Sequence, residues 1–565
     1  MGNRRFISLL LLLVLGWAPV LFAEEPKPAR PALVVVVSVD QWRYEYFERF
    51  AANLPDDGIA RRTMDHGVWF DNCFHQHAFT YTGPGHSVLM TGAYPARSGI
   101  IDNNWYDRAL GKEVYCVSDD QARLIGTTGS DKPVSPRRLL VDTVGDQLKM
   151  ATGFRSKVFG VAIKDRAAIL MAGRLADGAY WMSRDGNWIT SDHYREDLPG
   201  YLRNLNEQRV AFRFAGKTWD RSLPAEKYLH GVTERSDHEG PLAGMTKDFP
   251  HVLPAADDAS YITHLACSPF GNDATFDAAR AVVRAEQLGL DEYTDVLAVN
   301  LSSTDYVGHS FGPYSLEVED MTYRTDKQLG DFMRFLDQRV GERGWVMFLT
   351  ADHGVAPIPE RAAEWGLRAK RNPYGKPDER GNFEQERQHL EGVLRQVFRV
   401  PPSDENMLVS AVVTNQVFLN TRHPALQGRN AELARRITRD HLVGDPFVAH
   451  AATREQLMDD CSGNEMLHML QRSFHPQISG DVLFVLKPYA FSSGAPATHG
   501  SPWQYDRHVP LMIVSSSQQL DAGGVDSLQV SPAQIAPTIC RMLQIEAPSA
   551  CTESRLELKA SPLTH

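Results

Sequence analysis

The sequence lacks a basic region of the kind that binds nucleic acid. Its 59 Lys and Arg residues are outnumbered by 70 Asp and Glu residues, which gives a formal net charge of −11 at pH 7. A nucleic-acid-binding protein normally carries a cluster of Lys and Arg on one face, and the sequence contains no such block. The composition therefore predicts no nucleic-acid partner, and a site for an anionic ligand must create its own local positive charge.

Cysteine is also scarce, since the 565 residues include only six. Their spacings match none of the compact zinc–thiolate motifs, so a structural role is favoured. In an oxidising compartment an even number of cysteines permits disulfides, but the sequence does not decide the pairing. Cys540 and Cys551 lie close enough in the sequence to be the first candidate pair.

Long hydrophobic runs are missing after the first 23 residues, so no later segment is expected to span a membrane. Near the N-terminus two arginines precede an apolar stretch over residues 6–22, and Ala23 is followed by polar, proline-rich sequence. This pattern predicts a secretory signal peptide, residues 1–23, which is removed. An uncleaved anchor is disfavoured because the run barely reaches spanning length and contains Pro19. We therefore expect a periplasmic protein without stable membrane association.

Shorter hydrophobic runs recur along the rest of the chain and alternate with helical patterns. The first, Leu33–Val39, is a continuous β-branched segment that is typical of a strand buried on both faces. Strands that alternate with helices over this length predict an α/β/α sandwich around a central, mostly parallel sheet. The other predicted strands are 157–163, Asp295–Leu301, 345–351, Val482–Leu486 and Leu511–Ser515, and the predicted helices are 139–150, 273–288, Leu316–Val340 and 532–543.

Two segments fit this alternation poorly. Residues 179–254 are rich in aromatic residues, Gly, Asp and Pro, and residues 360–479 are charged and contain two adjacent prolines. Both are predicted to be insertions over one end of the sheet, where substrate-shaping segments usually lie. We expect them to belong to a single catalytic domain, residues 24–565.

Acidic and histidine residues follow the predicted strands, at the edge where open α/β sheets bind their ligands. Taken singly, an Asp after a strand is more often a helix cap, and a His is more often a surface or core residue. In combination they form a ligand set that suits zinc, and six ligands divide naturally into two sites. The residues are Asp40, Asp305, His309, Asp352, His353 and His499.

The segment 80–91 offers a nucleophile. Residues 83–85 (Gly-Pro-Gly) predict a tight turn after which a helix can begin, so Thr82 would lie at a helix N-terminus that favours an anion. Without metals, Thr82 would be an ordinary N-cap. Nearby metal ions would supply the lowered pKa that a hydroxyl needs in order to attack. Thr80 is the nearest competitor for this role.

These motifs resemble the alkaline phosphatase superfamily, in the branch with a threonine nucleophile. That branch includes the nucleotide pyrophosphatase/phosphodiesterases and the PafA-type monomeric alkaline phosphatases. The resemblance extends from Asp40 to about residue 538, with the motifs in the same order. It rests on residues 82–86 (TGPGH), 99–104 (GIIDNN), 305–309 (DYVGH), 352–354 (DHG) and 498–500 (THG).

The resemblance implies a role for each of these residues. Thr82 would be the nucleophile, Asn103 would form a hydrogen bond with a non-bridging phosphoryl oxygen, and His86 would be structural. Two zinc ions would be bound per chain, one by Asp305, His309 and His499 and the other by Asp40, Asp352, His353 and Thr82.

Lys164 and Arg166 bear on the choice of substrate. In the PafA type this K-x-R pair reaches the phosphate, whereas the phosphodiesterases of the branch lack it and hold the second ester group in an apolar pocket. The charges of the two substrate classes agree with this difference. A monoester dianion has more negative charge on its free oxygens than a diester, and an Arg beside a Lys stabilises that charge. Taken in isolation, the tripeptide 164–166 (Lys-Asp-Arg) would be an ordinary solvated turn.

The resemblance therefore implies a zinc-dependent alkaline phosphatase that hydrolyses small phosphate monoesters to inorganic phosphate through a phosphothreonine, as a monomer. A phosphodiesterase or nucleotide pyrophosphatase with the same metal ligands is the first alternative. A non-catalytic metal- or anion-binding protein of the cell envelope is the second, and the simultaneous presence of a nucleophile and two ligand sets disfavours it. A sulfatase is disfavoured because neither Cys nor Ser occupies the nucleophile position.

Overall fold

The computed structural model describes residues 30–229, 237–241, 244–372, 383–516 and 524–558. The predicted signal peptide, residues 1–23, lies outside the described residues. Within those ranges, none of the helices has both the length and the apolar character needed to cross a membrane.

Strands and helices alternate along most of the chain. The strands are β1 (Leu33–Val39), β2 (Gly67–Phe70), β3 (Asn104–Asp107), β4 (Lys112–Tyr115), β5 (Leu124–Ile125), β6 (Val158–Ala162), β7 (Gly178–Met182), β8 (Trp188–Ser191), β9 (Thr218–Trp219), β10 (His251–Val252), β11 (Asp295–Leu301), β12 (Trp345–Thr350), β13 (Lys370–Arg371), β14 (Val409–Val413), β15 (Gln416–Leu419), β16 (Val448–Thr453), β17 (Val482–Leu486), β18 (Ala490–Phe491), β19 (Leu511–Ser515) and β20 (Gly524–Asp526). The α-helices are α1 (Glu45–Phe50), α2 (Ile59–His66), α3 (Thr82–Thr91), α4 (Pro95–Ser98), α5 (Val144–Ala151), α6 (Asp165–Ala172), α7 (Gly200–Glu207), α8 (Tyr261–Ala266), α9 (Pro269–Ala285), α10 (Ser303–Phe311), α11 (Leu316–Val340), α12 (Pro359–Glu364), α13 (Glu384–Phe398), α14 (Arg429–Gly444), α15 (Arg454–Met458), α16 (Glu465–Ser473), α17 (Gln504–Arg507) and α18 (Ile535–Leu543).

The central sheet has the strand order β20–β2–β19–β12–β1–β11–β6–β7–β8–β5. Its middle five strands, from β12 to β7, are parallel, and only β19 and β8 run against the other described strands of this sheet. Every residue of β1 is buried, as a β-branched run is when helices cover both faces of a parallel sheet. The predicted α/β/α fold with a mostly parallel sheet is confirmed.

A second, antiparallel sheet has the order β14–β15–β17–β16 and an apolar core of its own. Most of it lies in the segment 360–479 that the sequence predicts to be an insertion. The strand predicted at Val482–Leu486 exists, but it belongs to this sheet and not to the central one. A short apolar run predicts that a strand is buried without specifying its sheet, because burial in either core satisfies it.

The other predicted insertion, 179–254, contributes β7 and β8 to the central sheet, so its predicted start is wrong. β7 pairs with β6, and β8 pairs with β7. The aromatic residues that distinguish this segment, Trp181 and Trp188 among them, are buried in the main core. A high aromatic content is therefore compatible with a core strand here.

Two predicted helices begin later than expected because capping residues fix their first turns. Thr143 caps α5 and forms a capping box with Asp146, so the helix starts at Val144 and not at residue 139. Ser531 caps the last helical segment, but residues 532–534 form a 3₁₀ turn before α18.

The six cysteines are all free thiols, so the candidate pair Cys540 and Cys551 forms no disulfide. Burial raises the pKa of Cys540 to about 12 and also raises the pKa of Cys551. Both thiols therefore stay protonated at neutral pH, as structural cysteines do.

Candidate active site

The predicted ligands meet at the carboxyl end of the central parallel strands. Asp40 directly follows β1, Asp352 follows β12, and Asp305 lies in the first turn of α10, which follows β11. His309 is four residues further along α10, so it shares a helix face with Asp305. Because neighbouring parallel strands end at one edge of the sheet, the three carboxylates lie close together.

The six predicted ligands form two groups. Within each group the ligand atoms all lie within 4.8 Å of one another. The rings of His353 and His499 stack with centroids 3.4 Å apart, so the groups are adjacent. We call Asp305, His309 and His499 the first group, and Asp40, Asp352 and His353 the second group.

A backbone carbonyl orients each of the three histidines. A carbonyl oxygen only accepts hydrogen bonds, so Nδ1 carries the proton and Nε2 presents a lone pair when the ring is neutral. Nε2 is therefore the atom that each ring could offer to a metal ion. The bonds run from His309 Nδ1 to Ala497 O (2.7 Å), from His353 Nδ1 to Gly354 O (2.9 Å) and from His499 Nδ1 to Thr80 O (2.9 Å).

Asp352 Oδ2 indicates that the second group suits a cation. This buried atom accepts no hydrogen bond, and it lies 3.1 Å from His353 Nε2. Burial lowers the pKa of His353 to about 4, so at neutral pH two lone pairs face each other. A bound cation would satisfy both atoms, and carboxylate with imidazole is a donor set that Zn²⁺ takes.

The buried carboxylates repel one another and attract Lys164. Burial, with Asp352 adding to it, raises the pKa of Asp40 to about 7. Burial also acts to raise the pKa of Asp305, but His309 and Lys164 hold it well below its ordinary value. Lys164 Nζ lies 3.0 Å from Asp40 Oδ1 and 2.5 Å from Asp305 Oδ2. The structure thus places this ammonium between the two groups, where the attraction of two buried carboxylates is strongest.

Thr82 lies at the second group. It is the first residue of α3, and its Oγ1 lies 3.4 Å from His353 Nε2 and 3.3 Å from Arg166 Nη2, from which it accepts a hydrogen bond. The competing Thr80 instead donates its hydroxyl to Ser501 O at 2.9 Å. Of the two threonines, only Thr82 thus has its hydroxyl between a predicted metal ligand and a cation.

Asn103 and Arg166 are both held by neighbours on the same side of the site. Asn103 Oδ1 accepts a hydrogen bond from Gly83 N at 2.7 Å, which turns the Nδ2 donor to the other side of the amide. Arg166 Nη1 donates to the hydroxyl of Tyr115, which itself donates to Asp165. The buried Nε of Arg166 has no hydrogen-bond partner. Both side chains thus offer donors to an anion beside Thr82.

Gln41 contacts both groups and gives no signal in the sequence. Its Nε2 donates to Asp305 Oδ1 at 2.8 Å, and its backbone N donates to Asp352 Oδ1 at 3.1 Å. Its φ of 61° is in the left-handed region, which a non-glycine residue adopts at a cost. Gly308 makes room for it, since a Cβ there would lie 1.8 Å from Gln41 Oε1. In the sequence, Gly308 inside the motif 305–309 (DYVGH) is the one feature that indicates a close approach of another side chain to this helix.

His86, for which a structural role is predicted, connects Thr82 to the ligands. Its Nδ1 lies 2.8 Å from Thr82 O, and its Nε2 accepts a hydrogen bond from Asn300 Nδ2 at 2.9 Å. The same Nδ2 lies 3.3 Å from Asp40 Oδ2. Burial lowers the pKa of His86 to about 4, so the ring is neutral and can bridge a donor and an acceptor. Asn300, like Gln41, is identified only in the structure.

Helix α3 packs directly against Asp352, one of the predicted metal ligands. The predicted turn at residues 83–85 is instead the first turn of this helix, where Pro84 fits because first-turn N–H groups have no helical acceptor. A Cβ on Gly85 would lie 2.3 Å from Asp352 O and 2.8 Å from Asp352 Cβ. The glycine thus permits a close contact between α3 and the segment after β12, which holds Thr82 near Asp352.

We expect Gly85→Ala to lower the free energy of unfolding by about 2 kcal/mol or more, because backbone atoms must move to admit the methyl group. Gly392→Ala in α13 is the matched control, since nothing lies within 4 Å of its Cβ position. That control should be neutral or slightly stabilising. Urea unfolding of both variants measures the difference, and equal stabilities would contradict the close contact.

Comparisons with known proteins agree with this geometry. The family model "Type I phosphodiesterase / nucleotide pyrophosphatase" matches residues 34–382. The chain is 35% identical to alkaline phosphatase PhoV of Synechococcus elongatus, over 92% of this chain and 91% of that protein. It is 33% identical to alkaline phosphatase PafA of Elizabethkingia meningoseptica, over 92% and 93%. A crystal structure of wild-type PafA matches with a TM-score of 0.83 and 32% identity, covering 93% of this chain and 98% of that one. The chain therefore belongs to the type I phosphodiesterase/nucleotide pyrophosphatase family, together with the alkaline phosphatases PhoV and PafA.

Proposed function

We propose that this protein is an alkaline phosphatase that hydrolyses phosphate monoesters with Thr82 as its nucleophile. The observation that carries the proposal is the position of Thr82 Oγ1, 3.4 Å from His353 Nε2 and 3.3 Å from Arg166 Nη2. A hydroxyl beside a metal-ligand group and a fixed guanidinium is well placed to attack a phosphorus atom whose oxygens the guanidinium binds. The activity named for PhoV and PafA supports the same reaction.

Two zinc ions are proposed as cofactors, one at the first group and one at the second group, where Thr82 would be the remaining ligand. The carboxylate and Nε2 donors and the unpartnered Asp352 Oδ2 support this assignment. When bound, such ions supply positive charge that lowers the pKa of an oxygen nucleophile and neutralises the oxygen of a leaving group.

The residues of the chain would act in two displacements. Thr82 loses its hydroxyl proton to solvent, and its Oγ1 forms a bond to phosphorus as the bond to the leaving oxygen breaks, which gives a phosphothreonine and an alkoxide that takes a proton from water. A water molecule then loses a proton and attacks phosphorus, the bond to Thr82 Oγ1 breaks, and this oxygen regains a proton as inorganic phosphate is released. Arg166 and Asn103 bind the equatorial oxygens throughout, and Lys164 adds positive charge. They act by charge and position and not as acid or base.

The contrast between monoesters and diesters tests this function. We expect kcat/KM to be about 100-fold or more higher for p-nitrophenyl phosphate than for its bis-ester, because the dianion gains more from charge-assisted hydrogen bonds. The family model includes phosphodiesterases, so the alternative activity is the natural comparison. A preference for the bis-ester on purified protein would replace the phosphatase proposal with a phosphodiesterase.

Removing divalent ions with EDTA is expected to abolish turnover and to lower Tm by several degrees. The ligand groups bring three carboxylates together in the interior, and without bound cations Lys164 offsets only part of their repulsion. Differential scanning fluorimetry and activity before and after chelation measure both effects, with Zn²⁺ added back as the control. Full turnover in protein shown by elemental analysis to be metal-free would contradict the cofactor proposal.

We further propose that residues 1–23 direct export to the periplasm and that the mature protein, a single catalytic domain, acts there as a monomer on small phosphate esters. The sequence pattern of residues 1–23 supports the export part of this proposal. N-terminal sequencing of the periplasmic fraction and size-exclusion chromatography with light scattering test the cleavage and the oligomeric state.

A further inference from the structure

A cavity of about 140 Å³ adjoins the candidate active site. His499 of the first group and Tyr81, the neighbour of Thr82, both line it. In an in-line displacement the leaving group departs on the side of phosphorus opposite to the nucleophile. Thr82 lies against the second group, so in the proposed reaction the leaving group would depart towards the first group. The cavity therefore lies on the leaving-group side.

Six aromatic side chains contribute to the walls of this cavity. A dry protein cavity of about 150 Å³ is large enough to hold a benzene ring, so this volume suits one planar ring. Aromatic walls favour an aromatic occupant through stacked and edge-on contacts. The aromatic residues that line it are Phe79, Tyr81, Phe383, Phe484, Phe491 and Tyr505.

Two of the residues that line the cavity each have a buried polar atom without a hydrogen-bond partner. They are Asp506 Oδ1 and Ser492 Oγ. The other carboxylate oxygen of Asp506 accepts hydrogen bonds from Ser501 N at 2.9 Å and from Ser501 Oγ at 2.5 Å, so the carboxyl group is fixed in place. A buried oxygen without a partner is costly unless a ligand donates to it. The cavity thus combines a ring-sized apolar space with acceptors for an N–H or O–H group.

The charges on the walls exclude one class of ligand. The described residues that line the cavity include Asp506 but no Lys or Arg. A second phosphate group would lose its hydration there without a counter-charge. The cavity is therefore unsuited to the distal phosphates of a nucleoside polyphosphate.

We propose that this cavity is a leaving-group subsite for phosphate monoesters whose alcohol carries an aromatic ring with a hydrogen-bond donor. The inference rests on the proposed phosphatase function and extends it to a substrate class. The ring occupies the aromatic space beside His499, and its donor group binds Asp506 Oδ1 and Ser492 Oγ. Recognition of the alcohol is thereby separate from recognition of the phosphate by Asn103 and Arg166.

Benzyl phosphate and ethyl phosphate test the aromatic part, because their alkoxide leaving groups have similar basicity. For the wild-type protein we expect kcat/KM to be about tenfold or more higher for the benzyl ester, from burial of the ring. Phe491→Ala, in a half-buried wall residue, should lower this ratio several-fold. Phe154→Ala, in an exposed phenylalanine that does not line the cavity, is the matched control and should leave the ratio unchanged.

Ser492→Ala tests the polar part and remains informative should Phe491→Ala fail to fold. The substrate pair is benzyl phosphate and its 4-(hydroxymethyl) derivative, which adds a donor to the ring. The preference for the derivative should fall several-fold in Ser492→Ala, mainly through KM, because the phosphate contacts are intact. A wild-type benzyl-to-ethyl ratio near one, or ratios that neither variant changes, would overturn the subsite while the esters are still hydrolysed. Loss of hydrolysis of every ester in the wild-type protein would instead overturn the proposed function, and the subsite with it.

Discussion

Thr82→Ala is expected to lower kcat for p-nitrophenyl phosphate by about 10⁴-fold or more, as removal of a catalytic nucleophile does in other enzymes. The variant loses the oxygen that lies 3.4 Å from His353 Nε2 and 3.3 Å from Arg166 Nη2. Folding should be little affected, because α3 is capped at Tyr81 without any side-chain hydrogen bond. Steady-state kinetics and Tm measured on the same preparation separate a loss of catalysis from a loss of folding.

Two further variants make this result specific to the hydroxyl of Thr82. Thr82→Ser keeps a hydroxyl at the same position, so activity should stay within about tenfold of the wild type. Thr80→Ala removes the competing hydroxyl, which is already bonded to Ser501 O, and should retain most of the activity. Should Thr80→Ala lose turnover while Thr82→Ala keeps it, the nucleophile would be Thr80.

Replacing Lys164 and Arg166 together by Ala is expected to lower monoester kcat/KM by about 10³-fold and diester kcat/KM by about tenfold or less. The monoester dianion loses charge-assisted hydrogen bonds that the singly charged diester uses less. Parallel assays with p-nitrophenyl phosphate and its bis-ester measure the two losses. Equal losses on both substrates would contradict the role of this pair in substrate choice.

The double variant needs a control for metal binding, since Lys164 also contacts Asp40 and Asp305. Elemental analysis should find the same zinc content in the wild type and the variant if the effect lies in phosphate recognition. Arg166→Ala alone is the cleaner probe, because its guanidinium contacts Thr82 and Tyr115 and none of the six carboxylate and histidine ligands. It should reproduce most of the monoester loss without any change in metal content.

The central sheet and its catalytic edge are largely predictable from the sequence. A β-branched run such as β1 has few alternatives to a buried parallel strand, and the polar residue that ends it, Asp40, necessarily lies at the sheet edge. The two ligand groups follow from the same rule, because Asp305 and Asp352 also stand just after buried strands. The local sequence pattern is therefore sufficient to predict those site residues that directly follow buried strands.

The rest depends on packing between distant segments, which local pattern does not encode. Gln41 contacts both groups only because its backbone adopts a left-handed conformation and Gly308 leaves space for its side chain. The sheet to which β17 belongs is decided by tertiary contacts. The candidate pair Cys540 and Cys551 forms no disulfide, because closeness in sequence does not by itself bring two thiols into bonding geometry. The cavity beside His499 likewise combines residues from several segments.

The most direct measurement of the central claim is acid quenching of the enzyme during turnover of a monoester, followed by peptide mass spectrometry. Thr82 attacks phosphorus in the proposed reaction, so a phosphoryl group should be found on Thr82. It should be lost in Thr82→Ala and in the wild type treated with EDTA. A phosphoryl group on another residue would contradict Thr82 as the nucleophile. So would turnover with a pre-steady-state burst and no phosphorylated peptide.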